Sequence, residues 1–231
     1  MTLLVDHRPT IEEWGLYLGL YPATVTRLAG DPQQQQRIEV ALDWLAATDG
    51  DDPPTAWAVV VSPYADADQG IQMLPEVGST VVVGFLAGHP DHPYVLGATW
   101  NGNAEAPDTF DDANNTRVIQ TRSGTRLEFD DTEGAAAVRL SVAGTTGKHS
   151  LVFDDAARTI TLTSASGATI TMTASGGVNI DAAATVDITA AMVTVNAAMS
   201  DFKGVVKCET LIASSGGVIS PSYTPGAGNV W

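Results

Sequence analysis

Thr159-Ile160-Thr161-Leu162-Thr163, Thr169-Ile170-Thr171-Met172, Val178-Asn179-Ile180-Asp181, Val186-Asp187-Ile188 and Val193-Thr194-Val195 follow one another in the last third of the chain and decide its fold. Each holds two apolar residues two positions apart, which predicts a short strand with one apolar face. Successive pairs begin 10, 8, 8 and 7 residues apart, a repeat of roughly eight. One chain of such strands has no cover for its inner face. The area buried per strand, at about 25 cal/mol per Å², does not offset about 1–2 kcal/mol of backbone entropy per ordered residue. A single-chain solenoid needs a longer coil to close each turn, whereas three chains around one axis each need to supply only one wall. Eight residues suit the wall. The expectation is a triple-stranded intertwined β-helix in a homotrimer, over residues 119–221. Its core is expected from Ile160, Leu162, Ile170, Met172, Val178, Ile180, Val186, Ile188, Val193 and Val195. The intervening Thr161, Thr171, Asn179, Asp181, Asp187 and Thr194 are expected in solvent, since Thr suits an exposed strand face and Val a buried one. About eight units at roughly 4.8 Å per strand would make a needle on the order of 40 Å long.

Moving towards the N-terminus, residues 102–118 are polar and acidic, contain Pro107, and read as a linker. Residues 17–101 carry five strand-like runs, beginning near Tyr21, Ile38, Ala56, Gly78 and Pro93 and separated by turn residues such as Gly30-Asp31-Pro32 and Asp49-Gly50-Asp51-Asp52-Pro53-Pro54. Five strands without a convincing helix predict a small closed barrel of the OB type. The whole is therefore expected to be all-β: an extension over 1–16, an OB-fold barrel, a linker, the needle, and a C-terminal tip segment over 222–231.

Formal charge is −16. No Lys or Arg occurs between Arg37 and Arg117, and only Lys203 and Lys207 follow Arg158. A nucleic-acid site needs clustered cations and would work against this field, so nucleic acid is excluded as a partner. With Cys208 as the one cysteine, neither an internal disulfide nor a cysteine zinc site can form. There is no basic leader followed by an apolar stretch and no run of 18 apolar residues, so neither a signal peptide nor a transmembrane segment is expected.

Candidate chemistry is sparse. His89 and His92 are three apart in a proline-rich turn without a third ligand, which favours a surface role over a metal pair. Asp66-Ala67-Asp68-Gln69-Gly70 begins like a calcium loop, but Val77 stands where the bidentate Glu would be. The acid pairs Asp130-Asp131 and Asp154-Asp155 each follow an apolar strand and read as one turn used twice, not as glycosidase carboxylates. No GxSxG or HExxH pattern is present. The chain is expected to be no enzyme and to use no metal or cofactor.

Leu74-Pro75-Glu76-Val77-Gly78-Ser79-Thr80-Val81-Val82-Val83-Gly84-Phe85, followed by Gly88-His89-Pro90-Asp91-His92-Pro93-Tyr94-Val95-Leu96-Gly97, resembles the OB domain of phage baseplate assembly protein V and of the valine-glycine repeat spike proteins of type VI secretion. The stretch from Asn114 to Asp131 resembles the passage from that domain into the β-helix. The resemblance implies a trimeric spike of a contractile injection system or phage tail, which pierces the target envelope when the sheath contracts. It implies assembly in the bacterial cytoplasm into a virion or extracellular injection particle. Some relatives carry a lysozyme domain between barrel and needle, for which 102–118 is too short. Others are fused to a large hub, for which 1–16 is too short, so a separate hub or tube-adaptor protein is expected at the barrel end. A tip protein of the proline-alanine-alanine-arginine class is expected at the other end, docked through Tyr223, Val230 and Trp231. The competing reading is a trimeric β-helical carbohydrate-binding or tail-fibre appendage. That would show a groove with aromatics and acids on the needle, and 159–221 holds only Phe202 as an aromatic.

Overall fold

Short strands rich in Val, Ile and Ala produce a barrel in the first half of the chain. The computed structural model describes residues 15–45, 52–101, 104–144 and 147–214. The extension up to Trp14 and the docking residues Tyr223, Val230 and Trp231 lie outside them. Strands β1 (Tyr21–Arg27), β2 (Ile38–Ala41), β3 (Thr55–Val60), β6 (Thr80–Phe85) and β7 (Pro93–Ala98) close in the order β1-β2-β3-β7-β6. All contacts are antiparallel except β3 with β7, which is parallel and shuts the ring. Ala23 and Val25, Ile38 and Val40, Ala58, Val81 and Val83, and Val95 point inward and are fully buried. Closure leaves no strand edge to pair with a neighbour. Tyr17, Tyr21, Trp44 and Phe85 cluster beside this core, with Tyr21 stacked on Trp44 at 4.4 Å between ring centres.

Two details differ from the sequence expectation. The strand-like run that begins near Ile38 ends at Ala41, and Asp43–Leu45 is a 3-10 turn. The polar stretch between β3 and β6 carries a small hairpin, β4 (Ala65–Asp66) with β5 (Gln69–Gly70), so Asp66 to Gly70 forms a tight turn. Polar side chains organise the barrel's other loops. Asp31 accepts hydrogen bonds from the backbone of Gln33, Gln35 and Arg37 and from the Arg37 guanidinium, which pins the 31–37 loop and depresses the Asp31 pKa. Glu39, buried in β2, is held by Arg27 and by the Thr26 hydroxyl at 2.8 Å.

Residues 116–181 form a second sheet, an antiparallel meander of β8 (Thr116–Gln120), β9 (Arg126–Asp130), β10 (Ala137–Gly144), β11 (Gly147–Asp154), β12 (Thr159–Thr163), β13 (Thr169–Met172) and β14 (Val178–Asp181). β8 begins three residues inside the stretch read as linker. One turn recurs three times, as Thr121-Arg122-Ser123-Gly124-Thr125, Ser164-Ala165-Ser166-Gly167-Ala168 and Thr173-Ala174-Ser175-Gly176-Gly177. In each, the glycine N–H reaches back to the first carbonyl at 2.9–3.0 Å and the first N–H closes on the fifth carbonyl. The glycine stands at φ between +82° and +91°, a conformation L side chains avoid. The chain divides into two units, 1–183 and 184–231. Among the described residues of 184–214, none is paired into a strand within the chain. No helix of the described residues is long and apolar enough to cross a membrane.

Candidate trimer interface

Side chains alternate across a strand, so register decides which residues share a face. Ile119, Leu127, Leu140, Leu151, Leu162, Ile170 and Ile180 are directly paired from strand to strand and make one unbroken apolar row. Beside it runs a second row: Phe129, Val138, Phe153, Ile160, Met172 and Val178. Six of the ten core residues expected from the repeat are brought together here. The other four, Val186, Ile188, Val193 and Val195, lie exposed in the second unit.

The opposite face has another chemistry. Glu128, Arg139, Val152, Thr161, Thr171 and Asn179 run down it in register. Arg139 bridges Glu128 at 2.7 Å and Asp130 at 3.0 Å, and Arg126 bridges Glu128 at 2.8 Å and reaches Asp108. The Thr132 hydroxyl and then Arg139 hold the Asp130 carboxyl down at about 2. Polar side chains that satisfy one another can face water. The apolar rows cannot do so without loss: Leu162 is 48% exposed and Ile180 59%. A contiguous apolar face of this extent marks an interaction surface.

The expected needle starts at residue 119, but the core residues expected from the repeat start at Ile160 and leave out those of the first four strands. The signal was present in Leu127/Phe129, Val138/Leu140 and Leu151/Phe153, which repeat the same two-apart spacing. The remaining candidates lie at strand ends and in turns. Asp130 and Asp154 flank Ala137 at one end of the sheet and cap their own turns, Asp130 accepting from Thr132 N–H at 3.1 Å and Asp154 from Ala157 N–H at 2.8 Å. His89 and His92 stand 6.1 Å apart between ring centres in the β6–β7 turn, and among the described residues no group of three or more His, Cys, Asp or Glu side chains is placed to hold a metal.

Two family models match the chain. Residues 21–100 match the type VI secretion system/phage-baseplate injector OB domain, and residues 141–200 match the phage baseplate V C-terminal trimerisation domain. The chain is also similar to the type VI secretion system spike protein VgrG3 of Vibrio cholerae, 28% identical over 109 residues, covering 45% of this chain and 11% of that protein. The spike protein VgrG5 of Pseudomonas aeruginosa is 32% identical over 109 residues, with 46% and 14% covered. The actin cross-linking toxin VgrG1 of Vibrio cholerae is 26% identical, with 45% and 10% covered. The matched stretch is thus a small part of each of these relatives. A barrel matched from its first strand to just past its last, followed by a sheet matched from within β10 onward, puts more than half of this chain under these two models: it belongs to the phage baseplate V family.

Proposed function

We propose that three copies of this chain form the central spike of a contractile injection apparatus or phage tail, and that the spike acts by mechanical piercing without catalysis. The observation that carries this reading is the two-row apolar face of β8 to β14, which one chain leaves open. Three such faces turned to one axis cover each other, and the polar faces turn to water. Downstream, Val186, Ile188, Val193 and Val195 extend the same spacing through residues that, among the described residues, pair with no strand, as an intertwined needle requires. In this reading a separate hub or tube-adaptor protein meets the barrel and a proline-alanine-alanine-arginine tip protein docks on Tyr223, Val230 and Trp231. The spike assembles in the bacterial cytoplasm and touches the target envelope only as it passes. The test is solution mass by light scattering. A value near three times 24.0 kDa supports the spike, and a stable single chain at micromolar concentration rules out the intertwined needle.

A further inference from the structure

A half-open cleft of about 510 Å³ lies where the segment after β7 crosses β8 and β9. Trp100 and Phe110 form one wall, in edge-to-face contact at 5.9 Å between ring centres. They are 63% and 77% exposed, the two large aromatics of a segment otherwise polar. The other lining groups include Asp108, Asp111, Arg126 and Glu128. Thr116, Val118, Arg126 and Glu128 alternate along β8 and β9 with Arg117, Ile119, Leu127 and Phe129, so the cleft floor is the polar face of the sheet. In the proposed trimer, on which this placement rests, that face is the outside of the spike.

We propose that this cleft binds an uncharged pyranose unit of a glycan. A pyranose ring has a face of C–H groups and a rim of hydroxyls. The C–H face stacks on an exposed aromatic ring, and the rim needs planar acceptors and donors beside it. Trp100 and Phe110 offer the ring faces. Arg126 fixes Asp108 and Glu128 in place, with Glu128 at 2.8 Å, and the Asn114 backbone N–H fixes Asp111 at 2.8 Å. Each carboxylate keeps further lone pairs for hydroxyl hydrogens, and groups ordered beforehand lose little freedom on binding. Charge selects among stacking ligands. A nucleotide or an acidic sugar would meet three carboxylates and one guanidinium already paired to two of them, on a chain of net charge −16. A neutral sugar meets no such penalty.

The test uses the full chain with N-acetylglucosamine tetramer and cellotetraose as probes in isothermal titration, beside light scattering on the same samples. Saturable binding of at least one probe is expected, weakened roughly tenfold or more by Trp100→Ala and less by Phe110→Ala, at unchanged oligomeric mass. No saturation by either probe at millimolar concentration overturns the proposal, as does binding that survives both substitutions. Loss of oligomeric mass in Trp100→Ala also overturns it, because a second copy of the chain then covers the cleft. A monomeric unsubstituted chain would instead defeat the trimer, and the titration would still report on the cleft.

Discussion

In the barrel, β1 finds β2 on one side and β6 on the other, and the ring closes; in the meander, β8 and β14 each keep one edge without a partner in the sheet. Both use strands of four to eight residues with alternating faces. The barrel's nine core residues are buried. Ala137 is the one buried hydrophobic residue among the described residues of the sheet. Closure accounts for the contrast. A sheet that wraps around its apolar face becomes its own cover, and one that stays open needs other copies. The barrel's stability therefore belongs to one chain, while that of the sheet depends on protein concentration.

The largest expected effect breaks the sheet and spares the barrel. Leu162→Asp puts a carboxylate into the middle of the apolar row, between Leu151 and Ile170, and three of them into the trimer. Burying unpaired charge costs several kcal/mol each. The light-scattering mass should fall from three chains to one while the barrel's near-ultraviolet circular dichroism, to which the packed Tyr17, Tyr21 and Trp44 contribute, is kept. A Leu162→Asp protein of unchanged mass and melting temperature would mean that this face is not the one that assembles.

The converse substitution is Ile38→Ala. Ile38 is 1% exposed inside the barrel, and removing its side chain should cost about 2–5 kcal/mol. The loss should appear as a lowered barrel transition, independent of protein concentration, in a protein that still has the mass of three chains. If Ile38→Ala also dissociates the oligomer, barrel and needle unfold as one unit and the contrast drawn above is wrong.

The barrel was legible because its inward residues are Val, Ile, Ala and Leu, two apart in β1, β2 and β6, and its loops are dense in Gly, Pro and Asp. In the sheet, the apolar pair was legible only from β12 onward. There Thr alternates with Ile, Leu, Met and Val, so the apolar pair stands out against a uniform background. In β8 to β11 the same pair is masked by Arg126, Glu128, Arg139 and Asp130, which look like a charged stretch until register places them on the other face. The Ser-Gly turn was equally visible in the letters and carries its own physical reason in the positive φ of Gly124, Gly167 and Gly176. The Trp100–Phe110 cleft was not legible, because two aromatics ten residues apart in a coil carry no periodicity that would bring them together.

The smallest expected effect concerns acid. Asp130 lies on the polar face of β9, where the Thr132 hydroxyl at 2.6 Å, then Arg139 at 3.0 Å, stabilise its charged form and hold its pKa at about 2. An aspartate in an unfolded chain titrates near about 3.9. As pH falls, the unfolded chain takes up this proton before the folded one. The contribution of Asp130 is thus complete above about pH 4 and is lost as pH approaches about 2. Asp130→Asn removes the contribution, so the sheet transition of this variant should shift less between pH 4 and 2 than that of the unsubstituted chain. Its mass at neutral pH should stay that of three chains, because the polar face takes no part in assembly. In the barrel, Asp31 has its pKa lowered chiefly by Arg37, and Asp31→Asn should flatten the acid response of the barrel transition alone. Parallel acid profiles for both variants and the unsubstituted chain would assign acid sensitivity to other carboxylates. A flattened sheet transition with an unchanged barrel would show that the two regions titrate independently.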